Sequence, residues 1–116
     1  MSNSIYDLED RTLAFSKNII HLIKKIPRNS SNRILTDQLL RSSTSIGANY
    51  REANDALGKK DFVHRLRIAR KEAKETIYWL ELILENNSTK KTDITPLIKE
   101  TAELRNILSA IINKSK

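Results

Sequence analysis

Residues 37–84 read DQLLRSSTSIGANYREANDALGKKDFVHRLRIARKEAKETIYWLELIL, and the spacing within this stretch decides the fold. Apolar and small residues recur every three or four positions, the period of helices that each bury one stripe. Leu39, Ser42, Ile46, Asn49, Ala53 and Leu57 make one seam, continued back to Leu35; Phe62, Leu66, Ala69, Ala73, Thr76, Leu80 and Ile83 make the next. Gly58 lies between the two, where a left-handed residue could end the helix before it and let the helix after it fold back. Serine or glycine in mid-helix costs roughly 0.5–1 kcal/mol against alanine, so Ser42, Ser43 and Gly47 together predict close approach by a neighbouring helix. Asn49, polar and within the seam, is expected to hydrogen-bond across the bundle.

Working outward, Ile5, Leu8, Thr12, Phe15, Ile19, Leu22 and Ile26 give a helix with Ser4 as its cap and Pro27 as its stop. Ser30, Ser31 or Asn32 is expected to cap the second helix. Asn86–Lys91 reads as a polar loop, and Thr92, Asp93 or Thr95 as the cap of a last helix whose seam is Leu97, Thr101, Leu104, Leu108 and Ile111. Helices are thus expected at about 5–26, 32–57, 60–86 and 94–113. Short connections between them predict one all-α domain over 1–116, an antiparallel up-down-up-down four-helix bundle.

Composition narrows the chemistry. The 116 residues hold no cysteine, which excludes disulfides and thiolate zinc sites, and two histidines without a pair of inward Glu-x-x-His motifs. No catalytic, metal or cofactor-binding constellation is expected, and so no enzyme activity. Met1–Asp7 lack the basic and apolar regions of a secretory signal, and no apolar run nears the ~20 residues of a membrane span. The expected address is the cytoplasm. The formal net charge of +7 favours anionic partners, nucleic acid foremost.

A local excess of +5 sits in the first half of the third helix. Between Lys59 and Lys74, seven Lys or Arg stand against only Asp61 and Glu72. At about 100° per residue, Lys60, His64, Arg67, Lys71 and Lys74 share the face opposite the seam. With Arg65 and Arg70 alongside, Lys60, Arg67, Lys71 and Lys74 form the expected surface for RNA or DNA. A plain solvated face, with Asp61–Arg65 and Lys71–Glu75 pairs, is the bland reading. A protein-interaction scaffold docking an acidic partner is the functional alternative. A third row, Ile68, Glu72, Glu75, Trp79 and Leu82, exceeds what a lone bundle needs and predicts a homo-oligomer interface.

The words RSSTSIGANYREA (Arg41–Ala53) and KDFVHRLRIARKEAKETIYWLEL (Lys60–Leu82) resemble the signature of a bacterial four-helix-bundle family. That family is known from reading frames in intervening sequences of 23S rRNA genes, and includes the accessory variability determinant proteins of diversity-generating retroelements. The resemblance implies a barrel-shaped homopentamer with a basic surface. In the retroelement members the barrel binds nucleic acid and a reverse transcriptase, which makes that enzyme an implied partner. Of the basic residues, Arg65, Arg67, Arg70, Lys71 and Lys74 match the family in kind.

Overall fold

A computed structural model describes residues 8–115. The helices are α1 (Leu8–Lys25), α2 (Ser30–Asn54), α3 (Lys59–Asn86) and α4 (Lys91–Lys114), with a 3-10 turn at Ser88–Lys90. They run up-down-up-down as a four-helix bundle measuring 44 × 29 × 19 Å. The expected cap Ser4 and seam residue Ile5 lie outside the described residues.

The seams read from the sequence form the core. Leu8, Phe15, Ile19 and Leu22 of α1 meet Leu39 and Ile46 of α2, Leu66, Leu80 and Ile83 of α3, and Leu104 and Leu108 of α4. Contact is most extensive between α2 and α3 and thinnest between α1 and α4. Polar clasps close the thin seam. Arg11 Nε and Nη2 donate to the two Glu100 carboxylate oxygens at 2.7 and 2.8 Å, and Nη2 also reaches Glu103 at 2.9 Å. Lys25 meets Asp93 at 3.2 Å near the other end of α1.

The small residues of α2 serve two neighbours. The Ser42 hydroxyl lies 2.9 Å from the Thr76 hydroxyl, so α3 comes close on one side. On the other, a Cβ added at Gly47 would stand 2.9 Å from Thr12 Oγ1 of α1. The expected close approach is therefore present twice.

Several local expectations are corrected. Helix α2 begins at Ser30, capped by Asn29, whose side chain accepts from the Asn32 amide at 2.9 Å. It ends at Asn54, three residues short of Leu57, which leaves the seam for solvent. Gly58 is extended, at φ −178°, and precedes α3 rather than adopting a left-handed turn. Asn49 is half-buried and donates to the Ser45 carbonyl of its own helix at 2.9 Å, not across the bundle. The buried cross-linking asparagine is Asn32. Its Nδ2 donates to the Pro27 carbonyl and to Asn87 Oδ1, both at 2.9 Å, while its Oδ1 accepts from Asn86 at 2.8 Å and Asn87 at 2.9 Å. Asn86 and Asn87 are thus knotted into the bundle's end, and the 3-10 turn that follows carries the chain into α4 a turn earlier than expected.

Candidate nucleic-acid interface

Lys60, His64, Arg67, Lys71 and Lys74 are all exposed on the outer face of α3. From Lys60 to Lys74 the row extends about 21 Å at 1.5 Å per residue. None of its four lysines and arginines has a carboxylate within salt-bridge distance among the described residues. The other two expected contacts turn sideways. Arg65 is half-buried with Asp61 4.0 Å away, and Arg70 leans to Ser109 of α4 at 3.4 Å. The six-residue set therefore divides into four outward cations and two flanking ones.

The Lys71–Glu75 pair does not form, and the reason lies on α2. Arg41 reaches across to take Glu75 at 2.6 Å and Glu72 at 3.1 Å. The hydrogen bond that Arg41 donates to Glu75 is the chief cause that raises the Arg41 pKa, which keeps the guanidinium charged. With both acids engaged, Lys71 is left to solvent. Sequence reasoning missed Arg41 because its partners lie 31 and 34 positions away.

The charge order of α3 also runs against its dipole. Its first turn holds Lys59 and Lys60 against the single acid Asp61, its last turn holds no base, and Glu81 and Glu85 stand exposed toward that end. Cations at a helix N-terminus and anions at its C-terminus each cost a few tenths of a kcal/mol. Helix stability does not explain this arrangement.

The row expected to join subunits is half-buried within its own chain. Ile68, Glu72, Glu75, Trp79 and Leu82 are all partly covered. Trp79 packs against the core, and its indole N–H is buried without an acceptor. Its ring meets Tyr78 edge-on at 5.1 Å. Tyr78, 56 % exposed, is the outward aromatic that spacing alone did not single out. At the far end of α2, Lys24, Arg28 and Arg33 line a separate cleft of about 610 Å³.

These features define a class: an all-helical four-helix bundle whose unpaired cations collect along the exposed face of one helix. The chain belongs to the 23S rRNA-intervening sequence protein family, whose model matches residues 6–110. It is similar to the crystal structure, at 1.70 Å resolution, of a protein of unknown function from the S23 ribosomal protein family of Bacteroides thetaiotaomicron VPI-5482. The two are 38% identical and superpose with a TM-score of 0.82 over 90% of this chain and 96% of that one. No curated protein matches the chain. Among the described residues, no helix is long and apolar enough to cross a membrane.

Proposed function

We propose that this chain is a non-enzymatic, cytoplasmic, homo-oligomeric bundle that binds RNA or DNA through the outer face of α3. The capture of Glu72 and Glu75 by Arg41 supports this reading most, because it leaves Lys71 unpaired within the row Lys60, Arg67, Lys71 and Lys74. Phosphate contacts release counterions and need no base-specific geometry, so backbone recognition is what such a face supplies. Phe, Tyr and Trp are absent from the row and His64 is its one ring, so stacking along the face is limited. Assembly would repeat the face around the particle and multiply weak contacts; five copies follow from the family resemblance. Half-exposed Ile68 and Leu82, next to outward Tyr78, offer the apolar surface for it.

Titrating the chain against generic labelled RNA at about 50 mM salt tests the reading, since phosphate contacts are strong there. Saturable binding that weakens steeply with added salt is expected. Absence of binding at that ionic strength would overturn it, and a co-purifying acidic protein lost on Arg67, Lys71 and Lys74 charge reversal would favour a protein-docking scaffold instead.

A further inference from the structure

Leu57 falls on the apolar period of α2 but stands fully in solvent, at 101% exposure. A lone exposed leucine carries no meaning by itself. This one stands at the rim of an open, shallow cleft of about 650 Å³ bordered by Lys59, Lys60, Asp61, His64 and Arg67. Lys60, His64 and Arg67 also begin the outward row of α3, so the cleft and the row are one continuous surface.

Building on the nucleic-acid reading of α3, we propose that this cleft receives an unpaired nucleotide, its base against Leu57 and its phosphate between Lys60 and Arg67. A nucleotide joins a flat, largely apolar face to an anion, and the cleft joins one apolar side chain to a frame of cations. Inorganic phosphate would leave Leu57 wet, and an apolar peptide would leave the cations unpaired. Asp61 lies about 100° around the helix from Lys60, with its carboxylate 4.0 Å from Arg65, and so does not face the phosphate. His64, exposed between Lys60 and Arg67, adds a second flat surface for a base. A lipid bilayer fits less well: one leucine is a small anchor, and the cations run in a line along α3 rather than in a ring around it. The consequence is a preference for nucleic acid with splayed-out bases over continuous duplex.

Two labelled RNAs with the same number of phosphates, one fully paired and one with a bulge, test this on the full chain by fluorescence anisotropy. Wild type should favour the bulged RNA by about tenfold, the scale of one apolar contact with a base. Leu57→Ser should bring the two affinities within about twofold while duplex affinity is unchanged, and Leu57→Phe should keep the preference. Full exposure of Leu57 makes both variants benign for folding, which circular dichroism checks. Equal wild-type affinities, or a preference that survives Leu57→Ser, would overturn the inference while leaving the α3 reading in place. A fall in solution mass for Leu57→Ser would assign the leucine to a second copy, and Leu57-dependent binding to anionic phosphatidylglycerol vesicles without a bulge preference would assign it to a membrane; either overturns it. If neither RNA binds, the α3 reading falls and the nucleotide cleft with it.

Discussion

The two glycines should respond to alanine in opposite ways. At Gly47 the added methyl would sit 2.9 Å from Thr12 Oγ1 and 3.1 Å from Thr12 Cβ. Thr12 cannot readily yield, because it is buried and its hydroxyl donates to the Leu8 carbonyl at 2.9 Å. Helix propensity favours alanine by about 1 kcal/mol, whereas overpacking costs about 1–3 kcal/mol, so the net loss is about 1 kcal/mol. For a domain of this length that lowers Tm by about 4 °C. At Gly58 a methyl meets nothing within 4 Å and the backbone is extended. Weaker capping by alanine and reduced unfolded-state entropy there offset one another, leaving a change within about 0.5 kcal/mol. Thermal unfolding followed at 222 nm, at one protein concentration, reads both variants. In a Thr12→Ala background the Gly47→Ala penalty should shrink by at least about 0.5 kcal/mol, since the clashing oxygen is gone. A Tm for Gly47→Ala that rises as propensity alone dictates would refute the close packing of α1 on α2.

Asn32→Leu should cost about 2–3 kcal/mol in urea unfolding, because Asn86, Asn87 and the Pro27 carbonyl lose their shared partner. Arg11→Met should cost about 1 kcal/mol and speed amide exchange in α1 and α4, whose contact it clasps. Glu100, chiefly, holds the Arg11 pKa well above its ordinary value. A raised pKa contributes stability at every pH below the unfolded arginine's titration and loses it only above, so this guanidinium should add no pH dependence between about pH 6 and 10. Ile68→Glu should lower the solution mass by light scattering toward the 13.4 kDa monomer; an unchanged oligomer would remove the third row of α3 from the interface.

Periodicity carried the core because its stripes are local: every seam residue expected of α3 is buried except Phe62, which is half-buried. Ends were harder to read. Ala56 and Leu57 extend the apolar pattern of α2, but Asn54 and Asp55, residue types of low helix propensity, stand where the helix stops, and the Asn54 side chain donates to Glu9 of α1 at 2.8 Å. The two asparagines show a similar limit. Asn49 and Asn32 are alike in type, and only the register of α2 against the end of α3 decides which meets a partner. The basic face was legible by counting 100° steps, whereas the freedom of Lys71 on it depends on Arg41 reaching from another helix. Leu57 could not have been found from spacing, because spacing placed it inside.

The most direct measurement is the salt dependence of RNA affinity for two triple variants. Arg67, Lys71 and Lys74→Gln removes outward cations of α3; Lys24, Arg28 and Arg33→Gln removes three at the opposite end of α2. The first should flatten the slope of log K against log salt by about 2 or more, and the second by less than about 1. Equal flattening by both, or none by the first, would contradict binding through the face of α3.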